Sequence, residues 1–299
     1  MSIRIAATCL AMSGLFMAAR AADSPGSLKA QLVVTVADHM NHKPRTLKLE
    51  DMRETPSMRI ANITPLSGEA EVYVLIDNAA NYDFGSKLQE LRSFVNAQPA
   101  STAIGLAFIK DGELSVAQTP VKDHQLVARA LRAPSGSEPG NPWCALSNLI
   151  GSWPRNGERR EVLMITSGMD HTAGGADACA NADTVIDMAQ RAGIAVYAIY
   201  HPAADYDKKE WREVDAGVVK VAHVCYETGG EAYFISHSAM ETIAPFLDDI
   251  AEHLANQYLM TVVFDSAREP GFREVYLHTA SPALELMAPT KVWVGEQER

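Results

Sequence analysis

The sequence predicts an α/β fold with a central, mostly parallel sheet sandwiched by helices, and three observations carry that prediction. The first is Glu71-Val-Tyr-Val-Leu-Ile-Asp77, an unbroken apolar run that stops at a carboxylate. A run without polar alternation reads as a strand buried on both faces, as in parallel sheets covered by helices. The second is a pair of similar runs, Val162 to Thr166 and Ile194 to Tyr200. The third is helical spacing between the runs, seen in Leu88, Leu91 and Val95 and again in Val185, Met188 and Ala192. In such sheets ligands bind beyond the carboxyl ends of the strands, which is where Asp77 falls. A carboxylate there also serves as an ordinary helix or turn cap.

Taken in order, Leu32 to Val36 reads as a strand, followed by a polar turn over Asp38 to Lys43 and two short strands at Arg45 to Glu50 and Met58 to Ile63. Pro65 to Glu69 marks a boundary. After the Val72 to Asp77 strand comes a helix from about Gly85 to Asn96, then a strand over Thr102 to Lys110. Asp111-Gly112 is a hairpin signal, which makes Glu113 to Gln118 an antiparallel edge strand. Helices follow at Asp123 to Arg132 and Trp143 to Trp153, separated by a Pro/Gly-rich loop from Ala133 to Pro142. Asn181 caps a helix that Gly193 ends. A helix from about Asp207 to Glu227 carries Trp211, Val214, Val218, Val221 and Cys225 as its apolar stripe. Strand Glu231 to Ile235 follows, then Ser238 and Glu241 as a capping box. Met240, Ile243, Leu247, Ile250 and Leu254 trace the next helix, where Pro245 predicts a kink or a later start. Strands at Tyr258 to Phe264, Glu274 to Thr279 and Lys291 to Val294 alternate better and read as antiparallel or peripheral.

The chain has 299 residues, 47% hydrophobic and 21% charged, enough for an ample core. Arg4, the apolar stretch Ile5 to Ala19 and Ala19-Arg20-Ala21 have the form of an export signal covering residues 1–21. No later segment is long and apolar enough to suggest a membrane span. Without residues 1–21, 24 Lys+Arg stand against 37 Asp+Glu, a net charge of −13 that repels nucleic acid and anionic membranes. The reading is an exported protein, periplasmic or extracellular. Three cysteines then remain; Cys144 and Cys179, in or near loops, form the candidate disulfide, and Cys225 lies in an apolar helical pattern.

The order of these segments resembles a von Willebrand factor A (VWFA) domain of the secreted bacterial type. The resemblance rests on the Val72-to-Asp77 strand and on Arg160-Glu-Val-Leu-Met-Ile-Thr-Ser-Gly168. It continues through Ala192-Gly-Ile-Ala-Val-Tyr-Ala-Ile199, Glu227-Thr-Gly-Gly-Glu-Ala-Tyr-Phe234 and Gln257-Tyr-Leu259. It implies a Rossmann-like three-layer sandwich with an antiparallel edge strand over residues 67–264. Residues 22–66 would be a linker and small β segment, and 265–299 a C-terminal β extension. It also implies a top-of-sheet site where intact members bind Mg2+ or Mn2+ through Asp-x-Ser-x-Ser, a Thr and a further Asp. Here Asp77 stands, but Ala79 and Asn81 replace the two serines. Cys144 or Ser147 falls near the place of the Thr, and Ser167 takes that of the later Asp.

The functional expectation is therefore a non-enzymatic module that binds a protein or extracellular matrix partner, without a cofactor, at the top of the sheet. The expected surface comprises Asp77, Asn81, Asp83, Trp143, Ser167, Asp170 and His171. A metal-dependent alternative places Mg2+, Mn2+ or Ca2+ on Asp77, Asn81 and Asp170, oxygen donors of the kind hard cations require. A hydrolase alternative uses Ser167, Asp170 and His171, although their sequential spacing and the missing G-x-S-x-G elbow argue against it.

Overall fold

The computed structural model describes residues 27–38, 46–53, 55–67, 69–80, 82–110, 112–135, 140–154, 159–170, 179–203, 211–235, 242–264, 269–282 and 284–295, with all side chains in these ranges except those of residues 82, 83 and 213. The expected export segment and the Ser238–Glu241 capping box lie outside these residues.

In chain order, β1 (Leu28–Asp38) is followed by a 3-10 turn (Leu49–Asp51), β2 (Met52–Arg53) and β3 (Arg59–Pro65). The strand expected over Arg45 to Glu50 is not formed, because the Asp51 carboxylate accepts the Lys48 N–H at 2.9 Å and curls the chain into that turn. Next come β4 (Ala70–Asp77), a 3-10 segment (Tyr82–Lys87), α1 (Leu88–Ala97), β5 (Thr102–Lys110), β6 (Glu113–Val121), α2 (His124–Ala130) and α3 (Pro142–Ser152). The chain continues through β7 (Arg159–Thr166), α4 (Ala182–Ala192), β8 (Ile194–Tyr200), α5 (Trp211–Thr228), β9 (Ala232–Phe234) and α6 (Ala244–Ala255). It closes with β10 (Gln257–Phe264), β11 (Gly271–Glu274), β12 (His278–Thr279), β13 (Leu284–Met287) and β14 (Lys291–Val294).

The main sheet has the order β6-β5-β4-β7-β8-β9, parallel except for the edge strand β6. This is a Rossmann-like doubly wound order, in which winding reverses between β4 and β7. Val72, Val74 and Ile76 of β4 face a core built with α1, α2 and α6. Tyr73 and Leu75, one pleat away, face a second core built with α3, α4 and α5. Local chemistry sets the helix ends. Asn181 Oδ1 accepts the Thr184 N–H at 2.9 Å to start α4, and Gly193, at φ 66°, ends it in the left-handed region. Pro245 sits in the first turn of α6, so the helix starts late rather than kinking.

The N-terminal strand and the C-terminal strands meet in a second, antiparallel sheet of order β13-β1-β10-β3. Leu32, Val34, Met260 and Val262 form part of its own core. β10 is central there, pairing with both β1 and β3, and takes no place in the main sheet. The strand expected over Glu274 to Thr279 divides into β11, which pairs with β14, and β12, which pairs with β2.

A polar knot lies where the two sheets meet. Gln257 Nε2 donates to Thr35 Oγ1 and Tyr197 Oη at 3.2 and 3.3 Å. Glu161, only 1% exposed, sits in β7 at the same level, and neither carboxylate oxygen has a hydrogen bond of ordinary geometry. Burial pushes its carboxyl up to about 7, against the opposing pull of Arg159 and Gln257. A raised acid binds its proton more tightly folded than unfolded, so this group favours the fold below pH 4.5, and that advantage is lost as pH rises through 7. Glu161→Gln should therefore gain stability over the parent as pH rises from 4 to 8, by about 3 kcal/mol, measured by denaturant unfolding at both pH values.

Candidate functional site

Because winding reverses between β4 and β7, the loops leaving these strands diverge and open a crevice at their carboxyl ends. Asp77 ends β4 and Thr166 ends β7, one on each side of that crevice. Asp77 is 3% exposed. Its Oδ1 accepts the Ala79 N–H at 2.9 Å, and its Oδ2 accepts the Thr166 hydroxyl at 3.0 Å. Thr166 Oγ1 in turn accepts the Gly168 N–H at 3.0 Å. One carboxylate thus folds its own loop into a turn and holds the opposite loop across the crevice. Burial pushes the Asp77 carboxyl up to about 6, while the Ala79 N–H and the Thr166 hydroxyl pull the other way.

The loops above the crevice are packed rather than open. Ala79 and Ala80 are buried, and Ala80 forms an isolated bridge with Ala203 of the loop after β8. Asn78 Oδ1 accepts from Arg132, whose guanidinium lies 3.9 Å from the centre of the Phe108 ring. His201 is buried, its Nδ1 3.2 Å from the Pro202 carbonyl oxygen. The loop after β7 rests on α5 at Gly217, where a Cβ would lie 2.5 Å from the Ser167 carbonyl oxygen. Gly168 meets the same contact from the other side, at φ +64°.

The expected surface residues separate on this geometry. Ser167 is fully buried, with Oγ 3.4 Å from the Met169 N–H that donates to it. Trp143 is 1% exposed, so the expectation that it faces a partner is corrected: it fills the core beneath α3 with Leu146 and Leu149. Asp170 stays partly exposed, with Lys220 Nζ 4.0 Å from Oδ2. Asn81 and His171 lie outside the described residues, as does the Asp83 side chain. In contrast Trp211, assigned to the apolar stripe of α5, is 69% exposed, because the buried face of that helix begins only at Gly217. α5 runs back from the carboxyl end of β8, so Trp211 belongs to the loop end of the sheet. Its place at the first position of the helix, nearly two turns before the first buried residue, was the available signal.

Cys144 and Cys179 form a disulfide with a Cα–Cα distance of 5.5 Å. It joins the first turn of α3 to the entry of α4. Asn141 reinforces the link by capping α3 through Oδ1 and donating from Nδ2 to the Ala180 carbonyl at 3.3 Å. Cys225 is a free, buried thiol.

No family profile and no curated protein matches this chain. Among solved structures it is similar to the VWA domain of SpRpn10, at 14% identity over 60% of this chain and 95% of that one, with a TM-score of 0.41. It is similar to proximal thread matrix protein 1 from the mussel byssus, at 12% identity over 68% of this chain and 49% of that one, with a TM-score of 0.46. It is also similar to the vWF domain of the type V pili tip protein Mfa5 from Porphyromonas gingivalis, at 11% identity over 63% and 96%, with a TM-score of 0.44.

Two outcomes follow from the crevice geometry. Thr166→Val removes a donor to buried Asp77 and an acceptor for Gly168, so it should cost about 1–3 kcal/mol and raise the Asp77 carboxyl further, read by carboxyl NMR titration. Replacing Cys144 and Cys179 by Ala opens a loop with a sequence separation of 35. The loss should be about 3–4 kcal/mol in denaturant unfolding, on the chain-entropy account.

Proposed function

We propose that the protein is an exported, non-enzymatic binding module of the von Willebrand A type that engages a protein or extracellular-matrix partner through the loop end of its main sheet, without a metal ion at Asp77. The observation that carries this reading is the commitment of both Asp77 oxygens to Ala79 and Thr166 inside a packed crevice. A hard dication needs several oxygen ligands and a position open to water or to a partner. Here the first-serine position is the Ala79 methyl group, and Cys144 is in the disulfide. Ser147 Oγ donates to the Cys144 carbonyl at 2.9 Å, and Ser167 is buried. These residues do not fit the ion, and the Asp77–Thr166 hydrogen bond joins the two sides of the crevice in its place.

The partner-facing set is then Asp170, Asp83, Asn81 and His171, with exposed Trp211 as the aromatic anchor. Large aromatic side chains on a rigid scaffold supply much of the energy of a protein interface. The disulfide supports an oxidising compartment, either periplasm or the external medium. The hydrolase reading loses its nucleophile, since Ser167 is buried and, among the described residues, no histidine hydrogen-bonds to it. The metal-dependent alternative on Asp77, Asn81 and Asp170 makes the opposite prediction about cation dependence.

The mature protein, immobilised and presented with a panel of matrix and envelope proteins, should bind its partner equally in chelator and after Mg2+ is added back. Trp211→Ala should weaken that binding about tenfold or more. Binding that appears only with Mg2+ and disappears in Asp77→Ala would establish the metal-dependent alternative instead.

A further inference from the structure

At the other end of the fold, the last turns of α5 and α6, the edge strand β9 and the second sheet enclose a cavity of about 520 Å3. Among the described residues four carboxylates line it, Glu231, Asp249, Glu252 and Glu285, together with His253 and with no lysine or arginine. Asp249 and His253 stand one turn apart on α6 and share a face. Glu231 immediately precedes β9 and is brought to them by the pairing of β8 with β9. One ligand atom from each of the three can be chosen so that all lie within 4.8 Å of one another.

The hydrogen bonding among these groups leaves a specific gap. Tyr233 Oη lies 2.7 Å from Asp249 Oδ2, 3.3 Å from Glu231 Oε2 and 3.5 Å from His253 Nδ1. A phenol has one proton, and the shortest contact gives it to Asp249. His253 Nδ1 then faces two oxygens, Tyr233 Oη at 3.5 Å and Glu231 Oε2 at 3.7 Å, which suits the tautomer with its proton on Nδ1. Nε2 is left with a lone pair that faces Asp249 Oδ1 at 3.8 Å, too far for a hydrogen bond. His253 as a whole is 5% exposed, and it lines the cavity. An imidazole lone pair facing a carboxylate oxygen across such a gap offers two donors to a cation placed between them. His253 also lies in the last turn of α6, where the helix dipole favours positive charge.

We propose that Glu231, Asp249 and His253 hold a divalent cation of the zinc class, with its remaining position open to the cavity. One imidazole nitrogen with two carboxylates suits Zn2+, Co2+ or Mn2+ better than Mg2+ or Ca2+, which favour oxygen alone. Tetrahedral ligand atoms on zinc stand roughly 3.4 Å apart, so the observed separations close onto an ion by small side-chain movements. Tyr233 is a positioning residue: its hydroxyl fixes one Asp249 oxygen and turns the other toward the site. Three protein ligands and an open position form a centre that can accept an oxygen or nitrogen donor from a small molecule or a partner.

The test titrates Co2+ into the chelator-stripped mature protein, reads its visible absorption, and displaces it with Zn2+. One equivalent should give a saturable visible spectrum and a rise in Tm, and Zn2+ should abolish the spectrum. Glu231→Gln and Asp249→Asn should each weaken binding about tenfold or more, and Tyr233→Phe, which keeps all three ligands, about tenfold. Near-UV circular dichroism of the metal-free variants must match the parent, which separates lost ligation from lost fold; both carboxylate side chains are nearly half exposed, so neither substitution opens the core. Asp77→Ala should leave Co2+ binding intact, so failure of this site is distinct from any result at the loop end. Absence of a saturable spectrum would overturn the proposal. So would binding unaffected in both ligand variants.

Discussion

The constraint on which the structure depends is that β4 and β7 are buried on both faces. A strand in that position has nowhere to place a polar side chain except at its ends, so the polar chemistry of the main sheet moves to its two rims. Asp77 closes one rim and Glu161 lies toward the other, both nearly inaccessible. Both carboxyls are pushed up by burial, to about 6 and about 7. The difference follows from their partners: Asp77 has two good hydrogen bonds to its ionised form, and Glu161 has a nearby Arg159 and Gln257 without comparable geometry. Each rim therefore carries a charge whose cost the surrounding loops and sheets must limit.

At the loop rim the reversal of winding opens a crevice that must be spanned if the two halves of the sheet are to move as one. The Asp77–Thr166 hydrogen bond, the Ala80–Ala203 bridge and the Cys144–Cys179 disulfide each tie segments that the topology sends in different directions. The approach of Gly217 to Ser167 seats the same loop on α5. Each of these ties joins two segments of the chain directly, through its own side chains and backbone.

Much of this was legible in the sequence, for physical reasons that differ by element. The runs 72–76, 162–166 and 194–200 announce doubly buried strands because no other environment tolerates so little alternation. Asn181 and Gly193 mark the ends of α4 through short-range hydrogen bonding and backbone freedom. The second sheet was less visible, since the pairing of β1 with β10 joins residues more than 200 positions apart and leaves no local trace. Trp143 and Trp211 were misplaced in opposite senses. Spacing shows that residues share a helical face, but not how far along the helix its neighbour extends. At the candidate site, the identity of Asp77 was readable, whereas its partner Thr166 was not, because a threonine ending an apolar strand looks like part of the strand.

Ligands of open α/β sheets gather at the carboxyl ends of the parallel strands, and in this fold a second sheet is docked near the other rim. Here β1 and β13 stand against the β9 edge and the end of α6, and their shapes do not fill the angle between them, which leaves the cavity. β9 has only three residues, so the sheet edge stops early and exposes Glu231 at the height of Tyr197. The second sheet contributes Glu285 and apolar walls, and α6 contributes Asp249 and His253. Carboxylates gathered on one cleft repel one another, and a cation bound between them lowers that repulsion. The same attachment that makes the fold larger than its central sandwich thus supplies the concavity, the ligands and the charge that a second site at this rim requires.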